Sequence, residues 1–421
     1  MHLPALQVVI PLISAALCAL FRHHFIAWSI TFLASWISFA IAILLLLQVM
    51  SRGVISYELG GWVAPIGIEY RIDLLNAFVL LIVSGVGAVI VPYAQKSISQ
   101  SLEKTEQSWF YSMYLLALTG LLGVTITGDA FNIFVFLEIS SLASYVMIAM
   151  GPDRRGLTAA YQYLIMGTVG ATFIVIGIGL LWAMTGTLNL YDLSQRIPLI
   201  ENSRPVLAAL AFLTVGISLK LALFPLHLWL PNAYAYSPGV ASAFLAGTAT
   251  KVAIYLLLRF FFTVFGGVEF FQSTPLPEIL FVLSLLAMFA ASIVAVFQSN
   301  IKRMLAYSSV AQIGFITLGI SYATEIGLTG AIAHMFNHAI MKAGLFLLIG
   351  AVMFRLGSVK IEDMAGIGRK MPFTMAGFVI LGLSLLGAPG TVGFISKWYL
   401  ALAALQEGQW WAVALIVAAS L

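Results

Sequence analysis

The sequence holds a single cysteine, Cys18, set inside an apolar run. That scarcity excludes a disulfide within the chain and Cys-based zinc or iron–sulfur sites. Charge is also scarce: 9% of residues are Asp, Glu, Lys or Arg, against about 25% in soluble proteins. No polar block is long enough for a separate soluble domain. The N-terminus has no charged n-region and no cleavage site, so the first apolar run is expected to be retained as a helix. The net charge of +4 is small and sits in loops, which gives no ground for nucleic-acid binding.

What is abundant is apolar side chain, 62% of the 421 residues. An all-α polytopic membrane protein of one membrane domain, 1–421, follows, with spans of about 20 residues each. The first spans read as roughly Leu3–Phe21, Phe25–Met50 and Leu74–Ala94. Between the second and third, Ser51–Asp73 is polar, and its Gly60-Gly61 pair among β-prone residues suggests a small hairpin. Ser108–Thr127, Ala130–Met150 and Leu157–Ala183 follow, then a polar loop at Asn189–Arg204. The seventh span is the stretch Ile217–Gly239, and the eighth is Pro238–Phe265. Pro277–Gln298, Ser308–Ser321, Gly327–Phe354 and Phe373–Ala404 come next, and a thirteenth starts near Gln409. That last run stops at Leu421, short of a full crossing, which suggests a fragment.

Eleven lysines and arginines, including Arg154, Arg155, Lys302 and Arg303, fall in loops on one side, and four fall on the other. The positive-inside rule then puts the N-terminus outside and the Arg154-Arg155 loop in the cytoplasm. Five cations remain in spans: Lys220, Lys251, Arg259, Lys342 and Lys397. Arg259, near a helix end, is expected to snorkel to the interface. The four lysines have no such escape. An ammonium in hydrocarbon costs at least about 2.5–3.5 kcal/mol, so each is a functional candidate.

Lys220 stands in ISLKLALFPLHLWLPNAY, five residues before Pro225. The proline removes a backbone donor and disrupts the helix, and such a break is tolerated only where protein or water satisfies the freed groups. Lysine and break together point to a hydrated cavity at membrane depth. Lys397 follows a second break, Gly387-Ala388-Pro389-Gly390. Paired broken helices far apart in a chain suggest inverted repeats with ion sites near the midplane. The repeats would cover about 108–265 and 277–421, after N-terminal helices in 1–94.

Of sixteen acidic residues, only Glu138 falls clearly in mid-span. It either makes a structural hydrogen bond to a serine such as Ser141 or pairs with a lysine of the seventh or eighth span. A Glu/Lys pair that can separate is a proton switch, because the ammonium loses its countercharge when the carboxylate moves away. Lys251 lies among small residues that permit close helix approach, and is either a structural cation satisfying carbonyls or part of the same system. His227 lies beyond the break, where helical spacing does not place it, and reads as packing or proton relay. His334, His338 and Lys342 recur every four residues and share one helix face. Two histidines at that spacing could bind zinc, but MFN separates them where H-E-x-x-H has its glutamate. A hydrated proton relay is the reading favoured over metal.

These residues together resemble the proton-translocating antiporter-like subunits of respiratory complex I, membrane-bound hydrogenases and Mrp-type multisubunit cation/proton antiporters. The marks are FVFLEISSLASY around Glu138, Lys220 before FPLHLWLPNAY, SPG ahead of Lys251, KRMLAYSSVAQIG, HMFNHAIMKAG and GxxxKW at Gly393–Trp398. The resemblance covers essentially the whole chain and implies fourteen spans with spans seven and twelve broken. It also implies a central polar axis. There Glu138 and Lys220 match the glutamate–lysine pair, Lys251 the connecting lysine, His334, His338 and Lys342 the linking helix, and Lys397 the terminal lysine. The D-type member of the Mrp antiporters fits best, judging by GDAFNIFVFLEI and TGTLNLYDL, with a complex I subunit of M or N type as the alternative. The family implies partners in other membrane subunits, protons and a monovalent cation such as Na+, a bacterial cell membrane, and no cofactor or redox centre in this chain. Any enzymatic electron transfer would belong to partner subunits.

Overall fold

A computed structural model describes residues 2–200 and 203–420. Among these the chain forms eighteen α-helices and one two-stranded sheet, and eleven of the helices are long and apolar enough to cross a membrane. The protein is a helical, multi-pass membrane protein. In order, the first half contains α1 Leu3–Phe21, α2 His24–Arg52, β1 Ile55–Glu58, β2 Glu69–Ile72, α3 Leu74–Ser101, α4 Lys104–Ile126 and α5 Ala130–Ala149. α6 Arg155–Thr185, α7 Leu190–Arg196, α8 Arg204–Leu221, α9 Trp229–Tyr236 and α10 Gly239–Arg259 continue it. The second half contains α11 Gly267–Ser273, α12 Leu276–Val296, α13 Ile301–Tyr322, α14 Glu325–Leu356, α15 Ile367–Lys370, α16 Pro372–Leu386, α17 Val392–Gln406 and α18 Trp410–Ser420.

The chain divides into two compact units. One comprises Met1–Lys220, Tyr236–Ala241 and Thr248–Gly267; the other comprises Leu221–Ala235, Ser242–Gly247 and Val268–Leu421. In the first, β1 and β2 pair antiparallel with Ile55 opposite Ile72 and Glu58 opposite Glu69. Gly60 and Gly61 lie in the connection at φ +66° and +76°, where a side chain would be strained. The hairpin is tied down by backbone: Gly128 N–H donates to Glu69 O at 2.8 Å, and Leu190 N–H donates to Gly128 O at 2.8 Å. The buried Glu69 carboxylate accepts from Asn189 Nδ2 at 2.9 Å and from Arg71 at 3.3 Å.

α6 and α8 approach closely through two glycines. A Cβ on Gly216 would stand 2.7 Å from the Gly170 carbonyl, so a larger residue would push the helices apart. Gly216 is one turn before Lys220, and this contact sets where that lysine emerges. The second unit has its own apolar core of Met288, Phe315, Leu318, Leu400, Ala403, Ala412 and Ile416, drawn from α12, α13, α17 and α18.

Several boundaries differ from expectation. The seventh span starts at Arg204 rather than Ile217 and ends at Leu221, four residues ahead of Pro225. The loop Asn189–Arg204 contains α7, because Asn189 Oδ1 accepts from both Tyr191 and Asp192 N–H at 3.0 Å and so caps a helix. α13 begins at Ile301 instead of Ser308, since Asn300 Oδ1 caps it from Arg303 N–H at 3.1 Å. Lys302, expected among the loop charges, therefore lies in the first turn of α13 and is 2% exposed.

Candidate functional site

Lys220 occupies the last turn of α8, where the exposed carbonyls of a helix end favour a cation. The helix stops there as Ala222 turns into the left-handed region at φ +61°. Lys220 Nζ donates to Glu138 Oε1 at 3.2 Å and to Ser141 Oγ at 2.9 Å. Glu138 and Ser141 are one turn apart on α5 and meet the ammonium from one face. The lysine side chain is 5% exposed and the glutamate 25%, so the cation is sealed while its partner carboxylate keeps one open side. Of the two readings of Glu138, the geometry shows the pairing with a lysine, and Ser141 serves that same ammonium.

Lys251 is fully buried on α10, in the same unit, and Nζ donates to Thr250 Oγ1 at 3.3 Å. One and two turns further along that helix come Tyr255 and Arg259. Arg259, near the end of α10, meets a carboxylate at the start of α3 rather than an open surface. Its guanidinium is buried and grips Asp73 in a bidentate pair at 2.6 and 2.9 Å, while Nε donates to the Tyr255 hydroxyl at 3.2 Å. The forked geometry of arginine matches a carboxylate, and this partner keeps the charge inside. Asp73 also caps α3, accepting from Asn76 N–H at 3.0 Å. Burial alone would raise the Asp73 carboxyl, but Arg259 and the helix-end amides hold it below the usual carboxylate range. A cavity of about 160 Å³ opens beside this pair, lined by Arg71, Asp73, Asn76, Thr127, Tyr255 and Arg259.

In the second unit, His334 is fully buried on α14 with both ring nitrogens engaged: Nδ1 with Ser396 Oγ and Nε2 with Gln312 Oε1, each at 2.8 Å. His338, one turn on, stacks parallel to it with ring centroids 6.5 Å apart. Lys342, a further turn along, donates to Leu305 O at 2.8 Å and to Ser308 Oγ. The face expected from the four-residue spacing is present. A zinc ion on His334 would have to displace one of two protein hydrogen bonds. Among the described residues no group of three or more His, Cys, Asp and Glu side chains is gathered for a metal. His227, in the same unit, stacks on Phe224 at 5.2 Å and lies 6.3 Å from the Tyr307 ring.

Lys397 shows what the second break is for. α16 ends at Leu386, and the Lys397 ammonium donates to the carbonyls of Leu385 and Leu386, each at 3.0 Å, and to Ser420 Oγ at 2.9 Å. It also lies 4.3 Å from the centroid of the Phe315 ring, a cation–π contact. A broken helix frees end carbonyls, and here a cation takes them. A Cβ on Gly393 would run into the Ser384 carbonyl, so only glycine lets α17 start so close to α16. A cavity of about 440 Å³ in this unit is bordered by Ser308, Gln312, Leu385, Leu386 and Ser420, the partners of Lys342, His334 and Lys397.

The structure thus joins Glu138 to Lys220 directly and places Lys251 in the same unit. It gathers His334, His338, Lys342 and Lys397 in the other. Sequence reasoning missed Gln312, Asn337 and Ser396 as partners, and Asp73 as the partner of Arg259. A polar residue in a span, like Gln312, was the only signal available, and it does not name a partner.

The family described as NADH:quinone oxidoreductase/Mrp antiporter, transmembrane, matches residues 127–421. The chain is 42% identical over 425 residues to NADH-quinone oxidoreductase subunit N of Desulforudis audaxviator, covering all of this chain and 84% of that protein. It is 32% identical over 421 residues to the D subunit of the Na(+)/H(+) antiporter of Alkalihalophilus pseudofirmus, with the same coverage. Among solved structures, a chain of the archaeal membrane-bound sulfane sulfur reductase matches with TM-score 0.91 and 32% identity, covering all of this chain and 85% of that one. A chain of the Mrp complex from Dietzia sp. matches with TM-score 0.91 and 28% identity, covering all of this chain and 78% of that one. With buried lysines at two broken helices, a matching fold over its whole length and these relatives, the chain belongs to the NADH:quinone oxidoreductase/Mrp antiporter family of membrane subunits.

Proposed function

We propose that this chain is the proton-conducting subunit of a multisubunit monovalent cation/proton antiporter, exchanging protons for Na+ in company with other membrane subunits. The observation that carries the reading is the Lys220–Glu138 pair at the broken end of α8. A buried ion pair persists only while both charges face each other. When Glu138 turns away, the Lys220 ammonium keeps the Ser141 hydroxyl but loses its countercharge in a low-dielectric site, and release of its proton is favoured. Return of the carboxylate restores the protonated state. Two positions of one glutamate are enough for a switch without redox chemistry.

Lys251, His334, His338, Lys342 and Lys397 are proposed to carry the proton onward along an axis near the membrane midplane. The hydroxyl partners of Lys342 and Lys397, and the carbonyls at the end of α16, suit repeated donation and acceptance. The reading includes two inverted five-helix repeats, at about 108–265 and 277–421, after the N-terminal helices of 1–94. It places the subunit in a bacterial cell membrane with the N-terminus outside, as the asymmetry of loop charge suggests. A second reading is a proton-pumping membrane subunit of an NADH:quinone oxidoreductase, which the 42% identity to a protein named as its subunit N favours.

The test is proton uptake in everted membrane vesicles carrying the assembled complex. Glu138→Ala should abolish Na+-driven proton movement with the complex still assembled. Full activity in that variant would end the switch reading. Proton pumping driven by NADH, with no response to Na+, would favour the second reading over the first.

A further inference from the structure

Ser396 stands where one hydroxyl hydrogen has two places to go. Its Oγ is 2.8 Å from His334 Nδ1 and 3.1 Å from the Gly393 carbonyl, and the residue is fully buried. Asn337 Nδ2 donates to the same Oγ at 3.2 Å and to Val392 O at 2.7 Å. On the far side of the ring, His334 Nε2 faces Gln312 Oε1 at 2.8 Å. The amide oxygen only accepts, so Nε2 carries a hydrogen in every state of the ring.

That arrangement leaves Nδ1 as the atom that gains or loses a proton. With the ring neutral, Nδ1 is an acceptor, and the Ser396 hydroxyl donates to it. With a proton on Nδ1, the imidazolium donates to Ser396 Oγ, and the serine hydrogen must rotate to Gly393 O. No covalent bond of serine changes, and Asn337 holds the oxygen in place throughout. Gly393 lies one α-helical hydrogen bond before Lys397, whose amide it receives in α17.

We propose that Ser396 is a positioning residue that holds His334 Nδ1 for proton exchange and reports its protonation to the first turn of the helix bearing Lys397. The proposal rests on the reading of His334 as a proton-holding group. The titratable groups facing this ring include His338, stacked one turn along α14, and Lys397, which shares with His334 the ring of Phe315. That ring is 5.9 Å from the His334 centroid and 4.3 Å from the Lys397 ammonium.

The experiment pairs nitrogen NMR of ¹⁵N-histidine-labelled complex in lipid with proton uptake measured across a pH series. His334 is identified by the signal lost in a His334→Gln variant. The native protein should show neutral His334 as the Nε2–H tautomer alone. Ser396→Ala should keep the Nε2–H tautomer that Gln312 holds but displace the Nδ1 titration seen by NMR over the same pH series, lower proton uptake about tenfold, the scale of one hydrogen bond to a charged group, and shift its pH profile. Ser396→Thr, which keeps the hydroxyl, should restore the native titration and profile. A native Nδ1–H tautomer would overturn the proposal without any variant. So would Ser396→Ala with the native Nδ1 titration, whether its uptake is unchanged or is lowered equally at every pH. Native uptake in His334→Gln would instead overturn the reading beneath it.

Discussion

Lys220 and Glu138 meet at 3.2 Å across 82 positions of sequence, and the lysine is the more deeply enclosed of the two. The asymmetry bears on mechanism. The cation is held by the end of α8 and by the α6–α8 contact at Gly170 and Gly216, whereas the carboxylate has room on one side to swing. In the proposed switch the glutamate is therefore the moving part.

Replacing the fixed member should be as damaging as replacing the moving one. Lys220→Ala is expected to abolish cation-coupled proton uptake in vesicles while the subunit still assembles, because the variant removes a buried charge and leaves Glu138 a partly exposed side. Glu138→Asp, one methylene shorter, should retain a fraction of the activity. Native rates in Lys220→Ala would remove this lysine from the pathway.

The glycine contact behind Lys220 gives a second prediction. Gly216→Leu should separate α6 from α8, displace the ammonium from Glu138, and cut transport about tenfold or more. Gly179→Leu, where an added Cβ meets nothing, should leave transport near native. Equal rates in the two variants would show that the close approach does not set the pair.

Lys397 is expected to act at the last stage of transfer. Lys397→Ala should block transport in vesicles, since the end carbonyls of Leu385 and Leu386 lose the cation that links them to Ser420. Lys397→Arg should keep a cation on those carbonyls yet not restore the rate, because a guanidinium holds its proton far more tightly than an amine. Native transport in Lys397→Ala would reassign the lysine to structure.

The Arg259–Asp73 clamp predicts a pH-dependent stability. Removing one partner of a buried pair costs about 3–5 kcal/mol, so Asp73→Asn should lower the thermal unfolding temperature of the solubilised protein at neutral pH. The Asp73 carboxyl is held below its ordinary value in the folded protein. Its contribution is thus complete above about pH 3.9, the unfolded value, and is lost as the pH falls through the folded one. The gap between wild type and variant should narrow in that acid range. A gap independent of pH would show that the loss is one of packing.

Zinc is the remaining discriminator for the histidine face. Metal analysis of the purified complex is expected to find less than stoichiometric zinc in this subunit, and chelators should leave proton uptake unchanged. Stoichiometric zinc lost in His334→Gln would replace the relay with a metal site.

Much of this protein can be read along the chain, because helices, spans and breaks are local events. Apolar run length sets the spans, Pro225 and the Gly387–Gly390 segment mark the breaks, and the four-residue spacing of His334, His338 and Lys342 puts them on one face before any fold is known. The scarcity of charge made each buried lysine stand out. Tertiary structure decided the partners. Nothing near Arg259 in sequence predicts Asp73, and the helix-end arginine expected to snorkel is found buried against that carboxylate. Lys302 looked like one more loop charge until the Asn300 cap extended α13 over it. The hydroxyl, amide and carbonyl groups around His334 come from three different helices. Hydrogen-bond partners across helices depend on which faces pack together, and helical periodicity carries no information about that. The sequence alone placed the candidate charges in apolar spans; packing determined which of them face one another.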